Sequence, residues 1–228
     1  MEASTKLPSS RHLQQQNRAM PPMPTSNILR ASVLLTAVLA AFPQTDTARA
    51  GSIEEKAAIC SACHGEQGVP IDKVTPIIWG QMEGYIYLQL RDFKSGARKN
   101  DLMQPVVADL TKDDLKALAA YFAAKPWPDL QQPSAPNDVA AAAVALNTSV
   151  GCTACHLGEY QGDSTVPRLA GQQRAYMDKT IAEFRDRSRA NNPGMSDLMN
   201  ASPPGDLKAI SEYLAGLQIL GGSGHPPR

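Results

Sequence analysis

Two copies of one five-residue motif hold all four cysteines of this 228-residue chain, and they restrict what it can fold into. The motif is C-x-x-C-H, found as Cys60-Ser-Ala-Cys63-His64 and as Cys152-Thr-Ala-Cys155-His156. Two thiols three residues apart on one helical turn can both reach the vinyl-derived carbons of one porphyrin, and the adjacent histidine then lies beside its iron. The sequence therefore predicts two covalently bound haem c groups, with both motif histidines as axial iron ligands.

Other uses of C-x-x-C pairs explain the pattern less well. Disulfides within the pairs would close very small loops, which is typical of redox catalysis and leaves the adjacent histidines unexplained. A zinc ribbon has its pairs about 15–20 residues apart, whereas 88 residues separate Cys63 from Cys152. A thioredoxin-like motif needs a β-α-β context, and the pattern around these cysteines does not predict one.

The first fifty residues have the pattern of an export signal. A 12-residue apolar run, Ala31–Phe42, follows Arg30 and precedes Ala48-Arg49-Ala50, which supplies the basic, apolar and A-x-A parts of a secretory signal. As a helix the run would rise only about 18 Å, too short for a bilayer core of roughly 30 Å. We predict a leader over residues 1–50, cleaved after Ala50, and a periplasmic protein. An uncleaved membrane anchor is the alternative.

Sequence landmarks repeat at an offset of 91 or 92 residues, so the chain is a duplication. The C-x-x-C-H motifs are 92 residues apart, and Pro76–Gln81 and Pro167–Gln172 share the pattern P-x-x-x-G-Q at an offset of 91. Further equivalent pairs are Tyr85 and Tyr176, Phe93 and Phe184, Asp114 and Asp206, and Tyr121 and Tyr213. The sequence predicts two domains, 51–125 and 138–220, a proline-rich linker over 126–137 and a disordered tail over 221–228.

Helical periodicity in each half, with no sustained period-two alternation, predicts an all-α fold. The predicted helices are Glu54–Cys63 and Val139–Cys155, Glu83–Ser95 and Arg174–Arg187, and Lys112–Ala124 and Asp206–Leu217. Thr111 followed by Asp114 predicts a capping box at the start of one of them. A domain of fewer than about 90 residues buries a small core of its own, so we expect each half to depend on its haem for folding.

A methionine between the middle and last helices of each half is the candidate for the second iron ligand. A carrier haem is usually six-coordinate, and a thioether ligand raises its reduction potential. This loop contains one methionine in the first half, Met103, and two in the second, Met195 and Met199. Met103 and Met195 each precede their repeated tyrosine by 18 residues. We predict Met103 and Met195 as ligands, with Met199 as the alternative.

With these motifs in place, residues 52–217 resemble the cytochrome c4 family of di-haem class I c-type cytochromes. The resemblance rests on the two C-x-x-C-H motifs, the repeated P-x-x-x-G-Q and the segment Phe93–Arg98 with its downstream methionine. It implies two tandem class I cytochrome c domains that face each other, each wrapped around one haem. It also implies that the carbonyls of Pro76 and Pro167 accept the Nδ1–H of the axial histidines and fix their tautomer.

The resemblance implies a carrier of single electrons between respiratory complexes, not an enzyme. The implied donor is a cytochrome bc complex or a dehydrogenase, the implied acceptor is a terminal oxidase, and any membrane association would come through these partners. One alternative is a di-haem enzyme of the peroxidase or thiosulfate-oxidising type with one open iron, against which the methionine in each half argues. Another is a cytochrome subunit of a dehydrogenase complex.

The charge of the chain argues against nucleic acid as a partner, and its basic clusters near the methionine loops have more than one candidate role. Lysine and arginine number 22 and are balanced by 22 aspartates and glutamates, and no basic surface interleaved with aromatic residues is evident, so nucleic acid is not a predicted partner. Basic clusters do lie close to the methionine loops, and they consist of Lys94, Arg98 and Lys99 in one half and Arg185, Arg187 and Arg189 in the other. They are candidates for haem propionates, for an acidic partner, or for solvated helix ends.

Overall fold

Helices joined by loops make up the computed structural model, which describes residues 51–217. The predicted leader and tail lie outside the described residues. The helices are α1 Ile53–His64, α2 Glu83–Ser95, α3 Met103–Val107, α4 Lys112–Ala123, α5 Asn137–Val150, α6 Cys152–His156, α7 Arg174–Arg185, α8 Pro193–Ala201 and α9 Pro204–Gly216. Between residues 51 and 217 there is no β-strand, only an isolated bridge between Asp163 and Val166. None of the helices in this range has the length and apolar character needed to cross a membrane.

Most predicted helix boundaries agree with the structure to within two residues, and α2 coincides with its prediction. The capping box at the start of α4 is confirmed. Thr111 Oγ1 accepts a hydrogen bond from the Asp114 N–H at 3.1 Å, and the Asp114 carboxylate accepts one from the Thr111 N–H at 2.9 Å. A second box, Ser52 with Glu55, begins α1. These caps satisfy N–H groups that have no partner within their own helix.

The predicted helix Val139–Cys155 is wrong in its continuity, because Gly151 divides it into α5 and α6. Gly151 has φ of 77°, and its N–H donates to the Asn147 carbonyl at 2.7 Å. A left-handed residue ends a helix, and glycine adopts that conformation at little cost. The Asn147 side chain then accepts from the Thr153 N–H at 3.0 Å. Ile59 is the equivalent of Gly151 in the first half, and α1 continues through it.

Two short helices, α3 and α8, lie where the sequence predicted only the methionine loops. In each, an asparagine side chain accepts from the N–H of the methionine three residues later, and Asn192 is the N-cap residue of α8 while α3 begins after Leu102. Asn100 Oδ1 accepts from the Met103 N–H at 2.9 Å, and Asn192 Oδ1 accepts from the Met195 N–H at 3.1 Å. Helices this short show too few turns for a periodic pattern. The shared pattern N-x-x-M was the available signal, since asparagine is a preferred N-cap residue.

The helices pack in the same way in both halves, around two separate hydrophobic cores. α1 packs on α4 as α5 packs on α9, α2 on α4 as α7 on α9, and α2 on α3 as α7 on α8. The first core includes the fully buried Val107 and Ala119, and the second includes Ala143. All described residues, 51–217, belong to one compact unit. The sequence duplication is thus also a structural one, while the domain limits 51–125 and 138–220 stay a prediction.

The proline-rich segment 126–137 lies against the second half. The Gln132 amide donates to the carbonyls of Gln172 at 2.9 Å and Ala215 at 3.1 Å. Trp127 lies close to the glycine of both P-x-x-x-G-Q segments. A Cβ atom added to Gly80 would be 2.9 Å from the backbone nitrogen of Trp127, and one added to Gly171 would be 3.1 Å from its indole nitrogen. The segment therefore contacts the same motif in the two halves.

Candidate haem sites

Both cysteine pairs lie on helices, in the geometry that the attachment motif requires. Cys60, Cys63 and His64 end α1, and the second motif forms the whole of α6. Residues three apart share one face of a helix. Cys60 packs against the first core and Cys152 against the second, so the two pairs do not converge on one zinc ion. No disulfide joins any of these four cysteines.

Burial suits the first thiol of each pair to an uncharged product, while Cys63 and Cys155 are exposed. Burial raises the pKa of Cys60 to about 11 and also raises the pKa of Cys152. Disulfide exchange and metal binding both use the thiolate form, which this environment disfavours. A thioether link to a porphyrin carries no charge and can be buried at no electrostatic cost.

Each motif histidine is buried, and its ring is oriented by a proline carbonyl. His64 is 7% exposed and donates from Nδ1 to the Pro76 oxygen at 2.8 Å. His156 is 6% exposed and donates to the Pro167 oxygen at 3.0 Å. A carbonyl can only accept, so Nδ1 carries the proton and Nε2 has the free lone pair. Burial lowers the pKa of both histidines, which favours the neutral imidazole that binds metals.

The candidate methionine ligands occupy equivalent positions in the two halves. Met103 and Met195 are both partly buried against their own core, and both have their N–H bonded by an asparagine side chain. Met199 instead lies inside the second core at 7% exposed, and its equivalent in the first half is Val107, at 0%. Met199 thus takes the place of a core side chain, as methionine often does, and Met195 takes the place of Met103.

Two buried donors fit the acidic groups of a haem. Within residues 51–217, three buried side-chain groups have no hydrogen-bond partner, namely the Thr180 hydroxyl, the indole N–H of Trp79 and Nη1 of Arg189. Buried polar groups nearly always have a partner, and an unpaired donor is costly. The propionate carboxylates of a haem are acceptors of the kind these donors lack. Cysteine pairs, oriented imidazoles and unpaired donors together fit bound haem.

The basic clusters near the methionine loops are mostly engaged within the chain. Arg185 donates to the Met199 carbonyl at 2.9 Å and also to the carbonyl of Ser202, so it caps the end of α8. Arg187 pairs with Asp197 at 2.7 Å, and Lys94 donates to the Ala108 carbonyl. These three side chains hold the methionine loops, a role that the sequence did not predict.

The remaining arginines of these clusters join the two halves. Arg98 Nη2 donates to the Tyr176 hydroxyl at 3.3 Å, and Arg189 Nη2 donates to the Tyr85 hydroxyl at 3.2 Å. Gln89 accepts from both guanidiniums, at 2.9 Å and 3.0 Å. Equivalent residues thus contact each other reciprocally, as they do across a twofold axis. The repeat revealed these residues, but it did not predict that they contact the opposite half.

No family model matches the chain, but individual proteins do. Cytochrome c4 from Thiocapsa roseopersicina is 35% identical over 191 residues, which cover 78% of this chain and 96% of that protein. The chain belongs to the cytochrome c4 family. The structure of reduced recombinant cytochrome c4 from Pseudomonas stutzeri agrees, with a TM-score of 0.65 and 30% identity over 74% of this chain and 100% of the other.

Membership of the cytochrome c4 family confirms several predictions. The fold is all-α, with two tandem class I cytochrome c domains, and the chain carries two covalently bound haem c groups as a di-haem electron-transfer protein. A thiosulfate dehydrogenase electron acceptor from Stutzerimonas stutzeri is also similar, with 32% identity over 176 residues that cover 72% of this chain and 82% of that protein. Relatives of both kinds indicate redox proteins as partners.

Proposed function

We propose that this cytochrome c4 carries single electrons in the periplasm between respiratory complexes, with both irons six-coordinate. The proposed axial pairs are His64 with Met103 and His156 with Met195, and the proposed covalent attachments are the two cysteine pairs. The observation that carries the proposal is one arrangement that is repeated in both halves. In each half, a histidine Nδ1–H donates to a proline carbonyl, and a methionine N–H donates to an asparagine side chain. Bound haem supplies the one-electron couple.

The chain's own contribution is to hold the ligands still. The proline carbonyls fix the plane and tautomer of each imidazole, and the asparagine caps fix the first turn of each methionine helix. Ligands held in this way would leave little to rearrange at a bound haem when an electron arrives. We propose a cytochrome bc complex or a dehydrogenase as the donor and a terminal oxidase as the acceptor.

An optical spectrum tests this proposal against the di-haem enzyme alternative. For protein expressed in the periplasm, pyridine-haemochrome quantitation should give two haems per chain, and the oxidised spectrum should be low-spin with the weak red band of methionine-to-ferric charge transfer. Carbon monoxide and peroxide should leave the spectra unchanged. A high-spin component, or a spectrum altered by either reagent, would show an open iron and favour the enzyme.

A second candidate function is that of electron acceptor for a thiosulfate dehydrogenase, which the similar protein from Stutzerimonas stutzeri favours. It corresponds to a cytochrome that works with one dehydrogenase as its subunit or docked partner. The test is to mix the oxidised protein with thiosulfate and a thiosulfate dehydrogenase. Fast reduction that needs the dehydrogenase, together with co-purification at low salt, would support this role over that of a general respiratory carrier.

Export is tested by the mature N-terminus. We propose that the leader over residues 1–50 is removed, so that mass spectrometry of the periplasmic fraction gives a chain that begins at Gly51. A chain that retains these residues and sediments with membranes would instead favour the anchor.

A further inference from the structure

The glutamine of each P-x-x-x-G-Q segment hydrogen-bonds to the backbone of the opposite half. Gln172 Oε1 accepts from the Ile77 N–H at 2.8 Å, and its Nε2 donates to the Ile77 oxygen at 3.0 Å. Gln81 bonds to Arg168 in the same way, at 2.8 Å and 2.9 Å. All four residues are buried, at 5% exposed or less. Water therefore does not compete for these bonds, and the partners fix the orientation of each amide.

The glutamine and the histidine bond opposite ends of one peptide group. The Ile77 N–H and the Pro76 carbonyl belong to the same peptide, and the Pro76 oxygen accepts from His64 Nδ1 at 2.8 Å. Gln172 therefore acts on the peptide that holds His64. The second copy of the arrangement consists of Gln81, the peptide between Pro167 and Arg168, and His156, whose Nδ1 is 3.0 Å from the Pro167 oxygen.

Hydrogen bonds in such a chain strengthen one another. An acceptor on the N–H of a peptide polarises the group and makes its carbonyl oxygen a better acceptor. A better acceptor for the Nδ1–H makes the imidazole more basic at Nε2, the atom that faces the iron. A more basic imidazole stabilises ferric over ferrous iron and lowers the reduction potential, since ligand donation is one of the protein's controls on that potential.

We propose that each motif glutamine is a positioning residue for the haem of the opposite half. Gln172 strengthens the bond between His64 and Pro76 and lowers the potential of the first haem, and Gln81 does the same for the second. The inference rests on the proposed axial roles of the two histidines. Each potential then depends on the docking of the other half, a link that the covalent attachments alone do not provide.

A purely structural role for the glutamines makes a different prediction. Each glutamine also accepts a hydrogen bond within its own half, Gln172 from the Gln173 N–H and Gln81 from the Met82 N–H, both at 2.9 Å. If the glutamines only held loops together, a substitution would disturb its own half or both halves equally. Under the proposal, the effect is larger in the opposite half.

The test uses the intact di-haem protein, reduced and labelled with ¹⁵N-histidine. Each axial imidazole should give one Nδ1–H proton signal displaced by the haem ring current, assigned to its half by contacts with neighbouring protons. Gln172→Met keeps the length of the side chain and removes both bonds. It should move the His64 signal to lower frequency, as a weaker bond does, and leave that of His156 in place. Gln81→Met is the matched control with the opposite pattern.

Reduction potentials supply a second readout. Gln172→Met should raise the reduction potential of the first haem. The expected change in the one-electron equilibrium constant is roughly threefold to tenfold, and tenfold corresponds to about 59 mV. Gln172→Glu, ionised at alkaline pH, keeps a stronger acceptor toward the Ile77 N–H. It should move both the His64 signal and the first potential in the opposite directions. If the methionine variants do not incorporate haem, the two glutamate variants decide the matter by location and sign: each must shift the His Nδ1–H signal of the opposite half to higher frequency by more than that of its own half.

Each outcome has one meaning. Larger changes in the opposite half, with opposite signs for methionine and glutamate, support the proposal. Changes that are confined to the substituted half, equal in both halves or of one sign for both substitutions overturn it and leave the axial roles intact. If wild-type protein shows no ring-current-shifted Nδ1–H signals, the axial histidine assignment itself fails, and the inference fails with it.

Discussion

Among single residues, the asparagine caps do most to define the candidate iron ligands. Asn100 and Asn192 bond the N–H of the methionine three residues later, which anchors the backbone from which each thioether projects. The residues at the next turn, Val107 and Met199, face their cores. The two methionines of the second half therefore have different environments, and substitution should separate their roles.

Replacing each of these methionines by alanine should have opposite effects on spectrum and stability. Met195→Ala should weaken the red charge-transfer band and let carbon monoxide bind one reduced iron, because it removes a proposed iron ligand. Met199→Ala should leave the band unchanged and lower the free energy of unfolding by about 2–5 kcal/mol, because it empties part of the core. Optical spectra and denaturant titrations measure both effects, and the reverse result would make Met199 the ligand.

The motif glycine Gly80 is required by both its backbone conformation and its surroundings. Its φ is 64°, and an added Cβ would be 2.9 Å from the Trp127 nitrogen and 3.0 Å from the Lys125 oxygen. Both are backbone atoms, which cannot rotate out of the way as the end of a flexible side chain can. We expect Gly80→Ala to destabilise the protein by more than the roughly 1–2 kcal/mol that a left-handed conformation alone costs a residue with a Cβ.

Gly96→Ala is the matched control for the steric part of this effect. Gly96 has a similar φ of 77°, and nothing lies within 4 Å of an added Cβ. Its substitution should therefore show only the conformational cost. Denaturant unfolding of the haem-loaded variants gives the comparison. Equal losses at the two positions would show that the contact with residues 125–127 contributes nothing.

At the scale of helices, the sequence predicted what periodicity and capping chemistry encode locally. The middle helix Glu83–Ser95 and the Thr111 box agree with the structure because both depend on residues within a few positions of each other. The break at Gly151 was missed because glycine is compatible with a helix interior at modest cost, and only its left-handed φ reveals it as a cap. The short helices α3 and α8 were missed because their asparagine caps and core contacts, not a periodic face, define them.

One ion pair connects the first and last helices of the first half and should make its stability depend on pH. Lys56 of α1 bonds to Asp114 of α4. This bond and those from Thr111 lower the pKa of Asp114 to about 2. An unfolded aspartate titrates near about 3.9, so the stabilisation is fully present above that pH and is lost as the pH falls through the folded value.

Asp114→Asn should therefore destabilise the protein at any pH above about 4 and should have little effect in strong acid. The amide oxygen can still accept from the Thr111 N–H, so the cap is retained while the charge is removed. Thermal unfolding followed by circular dichroism should show a lower midpoint for the variant at pH 7, and the difference should shrink as the pH falls from about 4 toward the folded pKa of about 2. Asp113→Asn is the control, since its side chain is 93% exposed. A difference that persists in acid would mean that packing or capping was lost, not charge.

At the scale of the whole molecule, the sequence identified the parts but not how the halves join. Tyr85 and Tyr176, like Gln81 and Gln172, were visible as repeated residues. Nothing in a repeat distinguishes a residue that packs within its own copy from one that contacts the other copy. The reciprocal contacts follow from the packing of two similar surfaces about a twofold axis, which is a property of the assembled chain.

The approximate symmetry of this interface makes its two arginine–tyrosine contacts controls for each other. Tyr85→Phe removes an acceptor from Arg189, which is only 5% exposed. We expect it to cost about 1–3 kcal/mol, the range for leaving a buried donor unsatisfied. Tyr176→Phe removes the same contact from Arg98, which is only partly buried and can bond to water instead, so its cost should stay near the roughly 0.5–1.5 kcal/mol of an ordinary hydrogen bond. Denaturant unfolding of the two haem-loaded variants gives the order. A larger loss for Tyr176→Phe would mean that burial of the guanidinium does not set the strength of the interface.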